Sequence, residues 1–536
     1  MKKKLLLAMV SIMIASLFLA ACSSGNEETG GSGENGESGS KKDSLVYGRG
    51  GDSTSLDPIT TTEGESYKVT INIFETLLTY GEQDTTLHPG LAEKWEASED
   101  GLTYTLKLRE DVKFHDGTDF NAEAVVFNFE RWMNGNDEQF PYYSMFGGYK
   151  GDEGHVIKEV KAEDEYTVVF TLNRPQAPFL KNLAMSCFGI ASPTALKEQG
   201  DDNFSKNPVG TGPFKFVEWK ANDSIVLEKN EDYYVDGQPK LNQLIFKVIP
   251  DNSTRLNSLS TGEIDLMDGV NPTDLEKIKS DSNLQAIERP SMNVGYLGFN
   301  VTKKPYDNAK VRQALSHAVD KQAIIDSFYS GLAVPAKNPM PDSIEGYHDG
   351  ISDYEYDLDK AKKLLAEAGY PDGFKSELWA IPVARPYIPE GNKIAQVIQE
   401  SWGKIGVDVE IKTVDWATYL DQAAAGDYPA YMLGWTGDNG DPDNFLYTLL
   451  DKDSIGSNNY SYYANDKLHD VLIEAQTEVD QEKRNELYKQ AQEIIHEDAP
   501  WIPLVHSTPL LAASADVSGF VPHPTGSDYF KNVEFK

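Results

Sequence analysis

The most informative patterning of apolar and polar positions lies between residues 376 and 435. Residues 376–381 read as a strand, and 392–402 place Ile394, Val397, Ile398 and Trp402 on one helical face. Residues 407–414 read as a second strand, 416–424 as a second helix and 430–433 as a third strand. Strand, helix, strand, helix, strand predicts an α/β unit around a parallel sheet. Ligands of open α/β sheets lie outside the carboxyl ends of the strands, and two loops leave such ends here. One, at 382–387, carries Arg385 and Tyr387. The other, at 434–445, carries Trp435, Gly437, Asp438, Asp441 and Asp443 and contains no Lys or Arg. A cationic and an anionic loop are therefore expected to face one crevice.

The rest of the chain carries the same two periodicities. Residues 101–109 alternate for most of their length, and 166–172 form a second strand candidate. Asn121 precedes a helix over 122–132, with Val125, Val126, Phe129 and Trp132 in helical spacing. A Gly/Pro turn at 207–214 leads into a strand at 214–219. It lacks the Gly-Lys-Ser/Thr of a phosphate loop. Val311, Leu315, Ala318, Ile325 and Phe328 predict one long helix from Asn308, and Leu487, Ala491 and Ile494 another from Gln481.

The N-terminus follows a different logic. Three lysines, an apolar run over 5–19 and the small residues Ala20 and Ala21 have the form of a secretory signal peptide, 1–21. The run is shorter than the ~20 residues of a membrane span. Leu19-Ala20-Ala21-Cys22 resembles the bacterial lipoprotein box, which implies lipid on Cys22. Residues 23–44 contain no apolar side chain and read as a flexible tether, so that folded structure is expected from about Ser44. With Cys22 lipidated, Cys187 has no disulfide partner. Its apolar neighbours, Leu183 to Phe188, mark it as a buried thiol rather than a nucleophile.

The remaining ~490 residues exceed what one core usually supports, so two or more lobes are expected. The formal charge of −36, from 85 acidic and 49 basic residues, argues against a nucleic-acid binder. It favours solubility and identifies no ligand.

Several motifs in one order carry a family resemblance: Gly90-Leu91-Ala92-Glu93-Lys94-Trp95, Lys113-Phe114-His115-Asp116-Gly117, the 207–214 turn, Asn293-Val294-Gly295-Tyr296-Leu297, Lys310-Val311-Arg312-Gln313-Ala314-Leu315, Ala384-Arg385-Pro386-Tyr387 and the 434–445 loop. From about residue 45 to its end the chain resembles the peptide- and nickel-type solute-binding proteins of ABC importers. The resemblance implies a two-lobed α/β periplasmic-binding-protein fold with an extra subdomain on lobe one. Lobe one is then 45–290 plus 509–536, and lobe two 291–508. It also implies that Asp438 holds a peptide ammonium group and Arg385 a peptide carboxylate. Trp435 and Tyr387 are candidates for an aromatic wall with Trp416, which lies outside the matched motifs, and Gly437 belongs to the same candidate set. The lipid-box Cys22 and the tether depart from the soluble periplasmic members.

The physical logic supports a dipeptide. Two extended residues span at most roughly 7 Å, and each charged terminus can take hydrogen bonds worth about 1.5–3 kcal/mol. An Arg fork meets a carboxylate with two parallel bonds. Glutathione, longer oligopeptides, haem and a nickel complex remain alternatives within the same fold. A secreted hydrolase has no Ser, Cys or metal constellation to support it, and nothing in the chain separates import from signalling. Asp441 and Asp443 are expected to cap the following helix. A calcium loop is disfavoured because the EF-hand spacing is missing. His115 and His496 stand alone, outside any metal-ligand pattern. The expected partners are a short peptide, an importer permease and, through the lipid, a membrane. No cofactor and no metal are expected, and the chain is expected to act as a monomer. Replacing Cys22 with Ala is predicted to release the protein from the membrane fraction on cell fractionation. Retention there would contradict the lipid anchor.

Overall fold

The computed structural model describes residues 42–536. The signal peptide, Cys22 and the tether as far as residue 41 lie outside the described residues. The strand Ser44–Arg49 opens the fold, where the sequence predicts order to begin. It lies near the middle of a seven-stranded sheet, parallel to Gln243–Val248 on one side and to Leu266–Met267 on the other. The late strand Leu510–Ser514 returns to this sheet, antiparallel to both Leu266–Met267 and Leu284–Glu288.

A four-stranded antiparallel sheet is inserted into this lobe, in the order Ala92–Ala97, Thr103–Leu108, Thr167–Leu172, Ile157–Asp164. The helix Ala122–Met133 covers it. The Asn121 side chain accepts the Ala124 amide at 3.1 Å and starts the helix, while Val125, Phe129 and Trp132 fall on its buried face. Phe129 stacks edge-on against Phe170 of the sheet.

The second lobe is a six-stranded sheet in the order Ala333–Pro335, Trp501–Ser507, Asn293–Phe299, Ala430–Thr436, Phe374–Trp379, Val407–Lys412. The predicted elements between 376 and 435 are all present, but the sheet is mixed rather than parallel. Phe374–Trp379 runs parallel to Val407–Lys412 and to Ala430–Thr436, as α-helical crossovers require. Ala430–Thr436 then pairs antiparallel with Asn293–Phe299, whose residues are all buried. That strand enters from the other lobe and brings no crossover helix to set its direction.

The single long helix predicted from Asn308 is instead two, Ala309–His317 and Lys321–Phe328. Between them Asp320 accepts the Ala323 amide at 3.0 Å, so a new N-terminus is capped where the apolar spacing alone reads straight through. Among the described residues no helix is long and apolar enough to cross a membrane.

Among the described residues, two connections join the large sheets. The chain leaves the first at Glu288 and enters the second at Asn293, then leaves it at Ser507 and re-enters the first at Leu510. Arg289, on the first connection, forms a buried bidentate pair with Asp528 at 2.7 and 2.8 Å. This ties the crossing to the C-terminal segment.

Candidate functional site

The two loops singled out by the sequence leave neighbouring parallel strands at the same edge. Trp379 pairs with Tyr431, so Ala430–Thr436 runs five residues further before its loop begins. Tyr387 closes the distance. Its ring lies against the backbone of Gly434, where a Cβ would collide with it, and its carbonyl accepts the Tyr329 hydroxyl at 2.8 Å. Gly434 is thus required by the close approach of an aromatic ring. Tyr387 is buried.

Arg385 is held by its backbone, which exchanges hydrogen bonds with Ile388 at 3.1 and 3.0 Å. Its guanidinium stands 4.8 Å from the centre of the Trp416 ring. Among the described residues it makes no ion pair. Trp416 itself opens the helix Trp416–Ala424 and stacks on Tyr419. Arg385 and Trp416 therefore come together although they belong to different predicted elements.

The acids of the second loop separate into three environments. Asp441 forms a buried bidentate pair with Arg484 at 2.7 and 2.8 Å. Burial alone would raise its carboxyl, but Arg484 holds it below the ordinary carboxylate range. Asp443 is the first residue of the helix Asp443–Leu450 and accepts from Gln476 at 3.0 Å. Burial, with Asp441 beside it, pushes it up to about 7. Neither is the N-cap; that position is Pro442, and Asp441 accepts the Asp443 amide at 3.0 Å. Of the capping role predicted for both acids, Asp441 keeps part, since its side chain accepts the first helical amide from the position before the N-cap, while the Asp443 carboxylate is taken by Gln476 instead.

Asp438 is different. Burial pushes it up to about 6, with hydrogen bonds from Asn444 and Tyr142 opposing the rise. It has no cationic partner among the described residues. Asn444 organises this corner: its Oδ1 accepts the Asp438 amide at 2.9 Å and the Trp435 indole N–H at 3.0 Å, while its Nδ2 donates to Asp438 at 3.1 Å. Gly437 donates its amide to the Met292 carbonyl at 2.8 Å and packs on Phe445, so its backbone donor is already committed.

Residues of the other lobe complete the enclosure. Tyr142 lies close enough to Asp438 to oppose the rise of its carboxyl, and its ring meets Tyr67 edge-on. Cys187 is buried as predicted. Burial pushes its thiol up and nearby Asp438 adds to the effect, the opposite of an activated nucleophile. Asn444, Arg484 and Tyr142 escape a reading of local spacing. A helix-start Asn six residues after the acid was the one local signal.

Away from this corner, Asp451, Asp453 and His469 each bring one possible ligand atom within 4.8 Å of the others. His469 Nδ1 lies 3.1 Å from both Asp451 oxygens, and Asp451 accepts the Asp453 amide at 2.9 Å. The cluster joins the end of the 443–450 helix to the helix Asp466–Thr477.

Comparison with known proteins decides the family. The model of the bacterial extracellular solute-binding proteins, family 5 (middle region), matches residues 86–457. The chain belongs to this family. It is 42% identical over 509 residues to the dipeptide-binding protein of Escherichia coli strain K12, covering 92% of this chain and 94% of that protein. It is 40% identical over 544 residues to heme-binding protein A of Haemophilus influenzae, covering 98% of each. Among solved structures it matches the periplasmic binding protein DppA of Helicobacter pylori in complex with the peptide STSA. There the TM-score is 0.82 and the identity 38%, over 92% of this chain and 98% of that one. The fold is accordingly the two-lobed periplasmic-binding-protein fold. Members of the family are extracytoplasmic substrate-binding receptors rather than enzymes.

Asn444→Ala is predicted to lower stability in urea unfolding by about 1–3 kcal/mol, because it strands the Trp435 and Asp438 donors. An unchanged midpoint would contradict its organising role.

Proposed function

We propose that this solute-binding protein is a lipid-anchored extracytoplasmic receptor that binds dipeptides or short peptides by both termini and delivers them to an ABC importer permease. One observation carries the reading. Among the described residues, Asp438 is an enclosed acid with no cationic partner and Arg385 a guanidinium with no anionic partner, on adjacent loops of one sheet edge. A zwitterionic peptide supplies both missing charges. Its ammonium meets Asp438, its carboxylate takes the Arg385 fork, and Trp435, Tyr387 and Trp416 form the wall between, with Gly437 in the turn. The relatives support this class of ligand, two of them being a dipeptide-binding protein and a di/tripeptide-binding protein. The similarity to heme-binding protein A makes haem the competing ligand.

We assign 45–290 plus 509–536 to lobe one and 291–508 to lobe two, closing about the two connections where the chain changes sheet. Closure excludes water and strengthens both charge pairs. The ligand shifts the population toward the closed form only as far as it prefers that form. Lipid on Cys22 keeps the receptor at the membrane, where it works as a monomer.

Calorimetric titration tests the assignment. A dipeptide is predicted to bind, with Arg385→Ala and Asp438→Asn each weakening it about ten- to a hundredfold. The ammonium needs ionised Asp438, and the free group titrates at about 6. Affinity should therefore hold above that pH and fall as pH drops below it, and the fall should vanish in Asp438→Asn. A doubly blocked dipeptide that binds as well as the free one, or haem that binds while the dipeptide does not, would sink the reading.

A further inference from the structure

A separate constellation of ionisable side chains gathers where the helix Asp443–Leu450 ends. Asp451 caps the short turn Lys452–Ser454 and accepts the Asp453 amide at 2.9 Å. Its backbone carbonyl accepts from the Asn459 side chain at 2.9 Å, and the same side chain holds the Tyr463 carbonyl at 2.8 Å. His469 stands in the first turn of the helix Asp466–Thr477, whose start Asn465 caps by accepting the Leu468 amide at 3.1 Å. Caps and backbone bonds thus hold both sides of the cluster in place. His469 is 18 residues from Asp451, so no compact ligand spacing announces the group in the sequence.

The distances are those of donors around a common centre. His469 Nδ1 lies 3.1 Å from each Asp451 oxygen and 3.9 Å from Asp453 Oδ2. Metal bonds of about 2.0–2.2 Å set neighbouring donor atoms roughly 3.0–3.5 Å apart. A lone hydrogen bond would single out one carboxylate oxygen, whereas equal approach to both suits a carboxylate that meets its partner side-on. Charge points the same way. The Asp451 side chain is fully buried with a second acid beside it, yet among the described residues neither pairs with Lys or Arg. Lys452, which lies between them in sequence, is drawn away to Asp466 at 2.6 Å. A buried carboxylate next to another is unfavourable until a cation neutralises them. Asp453 is exposed and His469 half-buried, so the cluster opens to solvent on one side.

We propose that Asp451, Asp453 and His469 bind one divalent first-row transition-metal ion of the zinc type, with water completing its shell from the open side. An imidazole nitrogen with carboxylates is a donor set for such ions, whereas calcium takes oxygen ligands. His469 serves through unprotonated Nδ1, and both acids serve as carboxylates. Tyr447 donates to Asp453 at 3.3 Å and orients the exposed ligand from outside the shell. The ion links the end of the helix Asp443–Leu450 to the helix Asp466–Thr477 and turns a repulsion between two acids into shared coordination. The site is independent of which solute the crevice holds.

The test is calorimetry on the full-length chain in detergent, stripped with a chelator and titrated with zinc chloride or calcium chloride. One zinc ion per chain is expected, bound at least about tenfold more tightly than calcium. His469→Gln and Asp451→Asn are each expected to weaken zinc by about thirtyfold or more, and the exposed Asp453→Asn by about tenfold. Asn at 451 can still cap its turn, and His469 is only half-buried, so both variants are expected to keep the parent's far-ultraviolet circular dichroism. His348→Gln, which removes a separate pairing with Glu493, is expected to leave zinc affinity unchanged. Zinc should raise the thermal midpoint of the parent but not of His469→Gln. Cobalt(II) should give visible absorption in the parent that His469→Gln loses. Absence of zinc binding, or zinc held by His469→Gln and Asp451→Asn as tightly as by the parent, would overturn the site. Calcium bound more tightly than zinc would overturn the assignment of the ion.

Discussion

An enclosed carboxylate without a cation shapes the site. Within six residues of one loop the fold treats three acids differently. Asp441 is neutralised by the fork of Arg484, Asp443 leans on the amide of Gln476, and Asp438 has only neutral donors among the described residues. Burial without a counter-charge favours the protonated form, which is why Asp438 titrates near 6 rather than in the ordinary carboxylate range. In the ligand-free state this group binds protons more readily folded than unfolded. Its contribution to stability therefore diminishes as pH rises toward 6. A cation delivered by a ligand reverses that penalty, and the reversal is available only where the enclosure is intact.

The enclosure depends on elements far from the loop. Arg484 lies on the helix Gln481–Asp498 and reaches back to Asp441, so the loop is anchored at its far end by a bidentate pair that is itself buried. Removing one member of such a pair leaves an uncompensated charge, a loss of about 3–5 kcal/mol in comparable cases. Asn444, on the helix that follows, fixes the near end and orients Trp435 at the same time. The loop is thus clamped on both sides of Asp438. Beneath it the Tyr387 ring lies close against Gly434. Rigid positioning of this kind lets a charge pair form without further ordering of the protein.

Much of the fold was legible in the chain. The alternation of helices and strands between 376 and 435 was periodic enough to place every element, and two loops at strand ends were visible from their residues alone. Asn121, Asp415 and Asp480 each cap the helix that follows, as short polar side chains before an apolar repeat should. The antiparallel partner of Ala430–Thr436 was not legible, because Asn293–Phe299 arrives through a lobe connection that no local spacing reports. The helix break at Asp320 was hidden by apolar spacing that continues across it. At the site, charge and residue type identified the loop, but distance in sequence concealed what distinguishes its acids. Arg484 is 43 residues from Asp441, and Asn182 is 257 from Asn439. Local pattern carries no information about such partners, and they decide which acid is left without a counter-ion.

The protonation of Asp438 itself tests this account most directly. Carbon-13 NMR of aspartate side-chain carboxyls, assigned by comparison with Asp438→Asn, would follow its titration with and without saturating dipeptide. The account predicts a midpoint at about 6 in the free protein and, with an ammonium group against the carboxylate, a midpoint at or below the ordinary carboxylate range. An Asp438 midpoint that is the same in both states would show that this carboxylate meets no cation on binding.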